Sequence, residues 1–230
     1  MPVAHRDGAA FFDLDRTLLS RSSSLALAEP FYRRGLIGRR QLWKARVAQA
    51  LFVRFGAGHG RAGGAADAAM GVLRGLAVST LHEIVADAWE HALAPFVYRE
   101  ALDQAAAHRG RGEPVFVVSG ALQEVVDVLV SKLSLDGGLG SRAEVADGVF
   151  TGRLERRLLG SAKADALGEL AAAERLELPS STAYSDSYSD VPMLEAVGNP
   201  VAVNPDRELR RVARERGWPV RRFHQTLGRS

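Results

Sequence analysis

Short apolar runs alternate with longer amphipathic stretches along the chain, and this alternation predicts an α/β fold. Runs typical of buried strands cover residues 9–12, 115–118, 181–184, 200–203 and 219–223. Between most of them, apolar residues recur every three or four positions, as they do in helices that bury one face. Strands that alternate with helices favour a parallel sheet covered on both faces. We therefore predict a Rossmann-like parallel sheet sandwiched by helices.

The stretch between the first two predicted strands is helical in character and too long for a simple crossover. Trp43, Val47, Leu51 and Phe55 recur at spacing four, and the glycine-rich segment 56–64 follows as a flexible connection. Residues 81–92 form a second amphipathic pattern, for which Thr80 and Glu83 provide a capping box. A third helix is expected to start at Pro95 and end near Gly110. We predict an all-helical cap over 21–105, inserted into a core formed by 1–20 and 106–230.

The remaining elements follow from the same patterns. Helices are predicted over 121–133, 161–176 and 193–196, and the pair Asp147-Gly148 favours a hairpin turn within 145–154. The second strand is expected to end just before Ser119, so that the helix over 121–133 follows at once.

Composition narrows the class of protein without identifying it. The chain has 230 residues, of which 47% are hydrophobic and 25% charged, as in ordinary globular proteins. It has no cysteine, which excludes disulfides and thiolate chemistry. No apolar run approaches a membrane span and no secretory signal is evident, so a cytoplasmic location is expected.

The basic balance has a structural explanation. The formal net charge is +3, and arginines are concentrated near the C-terminus. Leu209, Val212 and Ala213 form an apolar stripe there, so the arginines are expected to coat the solvated face of a helix. Because no aromatic-interleaved basic motif accompanies them, we expect no nucleic-acid partner.

The polar residues that are candidates for catalysis or ligand binding all follow predicted strands. Asp13 and Asp15 follow the first strand, Ser119 the second, and Asp186 and Asp190 the third. In open parallel sheets, ligands bind outside the carboxyl ends of the strands. We therefore expect these side chains to form one site.

The pair Asp13 and Asp15 points to phosphoryl transfer. Residues two apart in an extended chain lie on one side, and two neighbouring carboxylates repel each other unless a cation or a proton intervenes. A carboxylate nucleophile beside a second carboxyl group that acts as acid and base suits an aspartyl-phosphate mechanism. The alternative is a solvated strand-to-turn junction, where Asp and Thr are common.

The other candidates also have structural alternatives. Ser119 could be a helix N-cap, Lys163 a solvated helix lysine, and Asp186 and Asp190 caps of the following helix. The six histidines show no metal-ligand spacing and are expected to be structural or exposed.

Four motifs in order resemble those of the haloacid dehalogenase superfamily, in its phosphoserine-phosphatase-like branch. Asp13-Leu14-Asp15-Arg16-Thr17 resembles the first motif, Val117-Val118-Ser119-Gly120 the second, Lys163 the third and Asp186-Ser187-Tyr188-Ser189-Asp190 the fourth. The resemblance covers nearly the whole chain and implies a phosphatase with a helical cap of the kind inserted after the first motif.

The resemblance also implies a role for each residue. Asp13 would be the nucleophile and Asp15 the general acid and base, while Lys163 would offset negative charge. Mg²⁺ would be held by Asp13, Asp186, Asp190 and the backbone carbonyl of Asp15. Ser119 and Gly120 would bind phosphate oxygens, and Thr17 would fix the turn beside the nucleophile.

Two departures concern the substrate. The branch usually has a glutamate nine residues after the nucleophile, which holds the amine of phosphoserine, but here that position is Ser22. The fourth motif usually opens with glycine, but here it opens with Ser185. The expected partner is a small phosphorylated metabolite, phosphoserine or a related compound. Two alternatives stay open: a lipid phosphate phosphatase, suggested by arginines at 33, 34, 39 and 40, and a non-catalytic phosphate-binding protein. The oligomeric state is also open, a homodimer included.

Overall fold

The computed structural model describes residues 8–55 and 70–228. The glycine-rich segment 56–64, His5 and His59 lie outside the described residues, as do the side chains of Leu51 and Phe55.

A single sheet of seven strands forms the centre of the molecule. Its order is β4-β3-β2-β1-β5-β6-β7, and all neighbouring strands are parallel except the antiparallel pair β3 and β4. The strands are β1 Ala10–Phe12, β2 Val115–Leu122, β3 Gly137–Ala146, β4 Val149–Arg156, β5 Thr182–Ser185, β6 Asn199–Val203 and β7 Val220–Arg221. The predicted α/β fold is confirmed, with the strand that precedes Asp13 at the middle of the sheet.

Helices cover both faces of this sheet. They are α1 Ser23–Ala26, α2 Ala28–Arg33, α3 Arg39–Phe55, α4 Val78–Ala88, α5 Arg99–Gly110, α6 Gln123–Lys132, α7 Ser161–Glu174, α8 Val191–Glu195 and α9 Arg207–Arg216. A π-helical turn, Trp89–Leu93, and a 3₁₀ turn, Ala94–Phe96, connect α4 to the segment before α5. None of the helices within the described ranges is long and apolar enough to cross a membrane.

The side chains of β1 point alternately to the two faces of the sheet, and each face carries its own buried cluster. Phe12 packs into one buried cluster with residues of the helices between β1 and β2, and Phe11 packs into another with residues of α7 and α9. Successive side chains of a strand point to opposite faces, so a three-residue strand contributes to both clusters. Helices α1 to α5 lie between β1 and β2 in the chain. The division into a core and a cap with the boundaries given above stays a prediction.

Several predicted boundaries are wrong, each for a local reason. The second strand does not end before Ser119 but continues to Leu122, because Leu122 pairs with Ser141 of β3 beyond an irregularity. The helix α4 begins at Val78, after Ala77, so Thr80 lies within the helix and does not cap it. Pro95 lies in the 3₁₀ turn, while α5 begins four residues later at Arg99.

The apolar pattern of α3 correctly predicts a helix, but its first two members are not buried. Trp43 is 66% exposed and Val47 40% exposed. Near the C-terminus the pattern holds fully, since Leu209, Val212 and Ala213 are buried on α9.

Candidate active site

Two neighbouring strands, β1 and β5, deliver the acidic residues to one edge of the sheet. Asp13 directly follows β1, and its backbone N–H donates to the carbonyl of Tyr184 on β5 at 2.9 Å. Asp186 directly follows β5, and Asp190 follows within a 3₁₀ turn, Tyr188–Asp190. All three carboxyl groups are buried. The topology therefore places the first and fourth motifs side by side, as the strand-end argument predicts.

The chain turns sharply after Asp13, and this turn orients Asp15. The carbonyl of Leu14 accepts the N–H groups of Leu18 and Leu19, and Arg16 has a positive φ of 66°. The Asp15 carboxylate accepts the backbone N–H of Ser23 at 2.8 Å, at the start of α1. Asp15 is thereby tied to the first helix of the insertion.

Lys163 joins two of the carboxylates. Its Nζ donates to Asp13 Oδ1 at 2.6 Å and to Asp190 Oδ2 at 2.7 Å, and the hydroxyl of Ser185 donates to the same Asp190 oxygen at 2.7 Å. Lys163 lies in the first turn of α7, which begins after Gly160 at a positive φ of 59°. The side chain is only 2% exposed, so the alternative of a solvated lysine is wrong.

Asp186 has a different cationic neighbour. The Arg16 Nε lies 3.4 Å from Asp186 Oδ2, and both side chains are largely shielded from solvent. Sequence reasoning assigned no role in the site to Arg16. The turn between β1 and α1 therefore supplies a cation that pairs with the acidic cluster.

Burial and mutual repulsion raise the pKa values of the acids. Burial raises the pKa of Asp13 to about 7, although the Lys163 charge acts in the opposite direction, and Asp190 adds repulsion. Burial, followed by the charge of Asp13, raises the pKa of Asp186 well above its usual range. The half-buried Asp15 also has a raised pKa, because its carboxyl group loses hydration.

The pKa of Lys163 is shifted in the direction that favours its charged form. Burial by itself would lower its pKa, but the charges of Asp13 and Asp190 outweigh burial and raise the pKa of the ammonium group. Lys163 is therefore held as a cation between two acids.

The donor set suits a hard cation. Among the described residues, Lys163 and Arg16 are the two cations in ion pairs with these four carboxyl groups, which leaves an excess of negative charge. Oxygen ligands of this kind are those that Mg²⁺ prefers. Within residues 8–55 and 70–228, no group of three His, Asp or Glu side chains is arranged to hold a metal ion. The ligand set expected here has two carboxylates and a backbone carbonyl, so it does not depend on three such side chains.

Ser119 and Gly120 line the site from β2. Ser119 is buried, and its Oγ accepts the N–H of Ala121 at 3.1 Å, so the hydroxyl can still donate. The N-cap alternative for Ser119 is wrong, because α6 begins only at Gln123 after Leu122. For the same reason the start of α6 does not directly follow Ser119. A Cβ at Gly120 would lie 2.7 Å from the side chain of Leu159, so glycine permits this close approach.

Thr17 and Ser22 flank the turn that carries Asp15. The Thr17 hydroxyl is fully buried and has no hydrogen-bond partner among the described residues. Ser22 is the N-cap of α1, where its Oγ accepts the N–H of Leu25 at 3.4 Å. Thr17 therefore offers a polar atom to a bound group, while Ser22 is engaged in the fold.

Two contacts escaped sequence reasoning. Ser185 counted only as a departure from glycine, yet its hydroxyl fixes Asp190. Arg16 is the unassigned residue inside the first motif, and its positive φ brings its side chain back towards Asp186. The Arg16 contact joins the turn after β1 to the loop after β5, and the Ser185 contact depends on how the chain folds back within five residues of that loop.

Comparison with known proteins agrees with this arrangement. The family model of the haloacid dehalogenase-like hydrolases matches residues 10–195. A probable phosphatase of Mycobacterium tuberculosis is 41% identical over 95% of this chain and 76% of its own length. Phosphoserine phosphatase SerB1 of the same organism is 37% identical over 96% of this chain and 73% of its own length.

A solved structure shows the same fold. It is described as a phospho-aspartyl intermediate analogue of phosphoserine phosphatase, and it has a TM-score of 0.63 and 19% identity, over 96% of this chain and 95% of that one. The family match, the two relatives and the four ordered motifs agree: the chain belongs to the haloacid dehalogenase-like hydrolase family, as one of its phosphatases.

Proposed function

We propose that the protein hydrolyses a phosphate monoester through a phosphoryl group carried on Asp13, with Mg²⁺ as cofactor. The observation that supports this most strongly is that Asp13 and Asp15 have different hydrogen-bond partners. Asp13 is bound to Lys163 inside the site, whereas Asp15 is bound to a backbone N–H of the helical insertion. One acid is therefore positioned as an anion, and the other is free to hold a proton.

Asp13 acts as the nucleophile. Its carboxylate oxygen forms a bond to phosphorus while the bond from phosphorus to the alcohol oxygen breaks, which gives an acyl phosphate and the alcohol. The Lys163 charge lowers the pKa of Asp13 against the effect of burial, and so maintains the anion that attack requires. The same ammonium group offsets the charge that gathers when a phosphoryl group approaches.

Asp15 acts as general acid and then as general base. Its raised pKa favours the protonated carboxyl group, and that proton passes to the leaving alcohol oxygen. Asp15 then accepts a proton from the water that attacks phosphorus, which releases phosphate and restores Asp13. The Ser23 N–H keeps the carboxyl group in one orientation through both steps.

Mg²⁺ would be held by Asp13, Asp186 and the backbone carbonyl of Asp15. When bound, it neutralises carboxylate charge and polarises a phosphate oxygen. Asp190 contacts Lys163 and Ser185, so we assign it to orienting Lys163 and the acidic cluster rather than to chemistry.

The phosphate oxygens would be met by neutral donors. Ser119 can donate its hydroxyl, Gly120 follows it on β2, and Thr17 has a buried hydroxyl without a hydrogen-bond partner among the described residues. These groups bind phosphate without adding a further charge to the site.

Phosphate release from a panel of phosphorylated metabolites tests the proposal. With Mg²⁺ we expect turnover of some members, and we expect none in excess chelator or with Asp13→Asn. Asp186→Ala should raise the Mg²⁺ concentration needed for half-maximal activity more than Asp190→Ala does. Folded protein that turns over no ester would instead support the non-catalytic alternative, and full activity in chelator would remove the metal from the proposal.

A further inference from the structure

A largely apolar cavity lies between the helical insertion and the sheet. Its volume is about 350 Å³. The walls that come from the insertion include Leu27, Phe31, Ile37 and Leu73, while Leu122 and Leu154 come from the strands. At about 30 Å³ per water molecule, the cavity has room for roughly a dozen water-sized groups.

The cavity adjoins the catalytic residues on three sides. Ser24 lines it and directly follows Ser23, whose N–H binds Asp15. Gly120 lines it and directly follows Ser119. Leu159 lines it and precedes the start of α7, which carries Lys163. The segments that hold Asp15, Ser119 and Lys163 therefore each contribute a nearby residue to the cavity wall, whereas the described segments of Asp13 and Asp186 contribute none.

The position of Asp15 decides which part of a substrate enters the cavity. Asp15 protonates the leaving oxygen under the proposed mechanism, and α1 holds Asp15 from the side on which Ser24 and Leu27 line the cavity. The alcohol attached to that oxygen must extend away from Asp13. Because α1 both binds Asp15 and forms part of the cavity wall, an alcohol that extends past Asp15 along α1 meets this wall.

The chemistry of the lining disfavours a zwitterion. Among the described residues that line the cavity, Arg157 is the one charged side chain, and no carboxylate is present. An ammonium group taken out of water needs a countercharge, because desolvation of an unpaired charge is costly. An apolar group, by contrast, gains about 0.8 kcal/mol for each methylene that it buries.

We propose that this cavity binds the alcohol portion of the substrate, and that the substrate is the phosphate monoester of an apolar aliphatic alcohol. This inference deepens the proposed function and rests on it. It assigns the helical insertion the task of selecting the leaving group, and it makes phosphoserine a poor substrate.

A series of soluble alkyl phosphates from ethyl to octyl, compared with phosphoserine, tests the inference. Each methylene that enters the cavity should raise kcat/KM about fourfold, until the cavity is filled. A flat series, or phosphoserine as the best substrate, would overturn the inference and leave the phosphatase function intact.

Binding provides a readout that does not depend on turnover. Calorimetry with the matching alkylphosphonates, which the enzyme cannot hydrolyse, should show the same dependence on chain length. If these ligands bind in this order but no ester is hydrolysed, the proposed function fails while the cavity assignment stands. If neither the esters nor the phosphonates show a preference for longer chains, the cavity assignment fails.

A matched pair of variants locates the effect. Leu159 lines the cavity and is 41% exposed, whereas Leu227 is 39% exposed and is not among the lining residues. Leu159→Gln should lower kcat/KM for octyl phosphate at least tenfold more than for ethyl phosphate, and Leu227→Gln should change both equally. Equal effects of the two variants would overturn the assignment.

One further experiment distinguishes a membrane lipid from a soluble ester as the source of the substrate. Vesicles that contain phosphatidate present the same phosphate group on a membrane. Release of phosphate from these vesicles at a rate above that from soluble octyl phosphate identifies a lipid source, and a lower rate identifies a soluble ester.

Discussion

Two polar networks meet at neighbouring residues of β5 and differ in their balance of charge. Ser185 points to the acidic cluster, where its hydroxyl donates to Asp190. Tyr184 points to the opposite face, where its hydroxyl lies 2.8 Å from His108 Nε2. One strand therefore supports both a candidate active site and a second network.

In the second network the acidic group is paired with basic groups of the same network. Glu113 contacts His108 Nδ1, and Arg111 Nε lies 2.9 Å from the same glutamate. The Arg111 hydrogen bond lowers the pKa of Glu113, whereas the acids of the site have raised pKa values. A network whose charges are balanced stabilises the fold, and a network with excess carboxylates is arranged to receive a ligand. The predictions below perturb these two networks in turn.

The largest effect is expected from Asp13→Asn. Removal of the nucleophile should lower kcat by about 10⁴-fold or more, since the amide cannot form the acyl phosphate. Lys163 keeps its bond to Asp190, so the melting temperature should stay within a few degrees. Steady-state kinetics and calorimetry on the same preparation check both statements, and wild-type turnover would refute the assignment.

Lys163→Met should have the next largest effect. Loss of the cation beside Asp13 should lower kcat/KM about 10²- to 10³-fold, as for other preorganised charges in active sites. Lys132→Met provides the control, because Lys132 is exposed in the last turn of α6. Equal kinetics for the two variants would show that Lys163 has only a structural role.

His108→Phe should lower stability and leave catalysis nearly unchanged, in contrast to the two substitutions above. It leaves the buried Tyr184 hydroxyl without its His108 partner and leaves Glu113 with Arg111 alone, which should lower the free energy of unfolding by about 1–3 kcal/mol. Catalysis should change less than twofold, because His108 touches the second network alone. A large loss of kcat with an unchanged melting temperature would contradict the distinction between the two networks.

The smallest effect is a difference in pH dependence, measured without divalent metal. Burial raises the pKa of Asp13 from 3.8 to about 7, so its contribution to stability is lost as the pH rises through that interval. Burial lowers the pKa of His108 below 6.5, so its contribution is lost as the pH falls below 6.5. Denaturant unfolding at pH 4.5 to 7.5 should show that Asp13→Asn and His108→Phe change the slope in opposite directions. Slopes that change in the same direction would refute the two pKa assignments.

Sequence reasoning recovered the site better than the details of the fold. Asp13, Asp15, Asp186 and Asp190 could be predicted because they follow strands, which is a local feature, whereas the place of Lys163 was implied by the family resemblance. The structure brings these residues together as a cluster, with Lys163 between Asp13 and Asp190.

What sequence reasoning missed depends on long-range packing. The first part of β3 contains glycines that give no apolar alternation, yet a Cβ at Gly140 would lie 2.7 Å from the backbone of Gln123 on α6. The contact between Arg16 and Asp186 likewise joins separate loops. Trp43 has a helical apolar spacing but is exposed, because periodicity identifies a face without showing what covers it.

A crystal structure of the protein with beryllium fluoride and Mg²⁺ tests the central claim most directly. Beryllium fluoride imitates a phosphoryl group on a carboxylate, so it reports which residue carries the intermediate. We predict density for the anion joined to an Asp13 carboxylate oxygen, beside Lys163 and Ser119. Density joined to another residue, or an anion bound away from the edge of the sheet that carries Asp13, would contradict the mechanism.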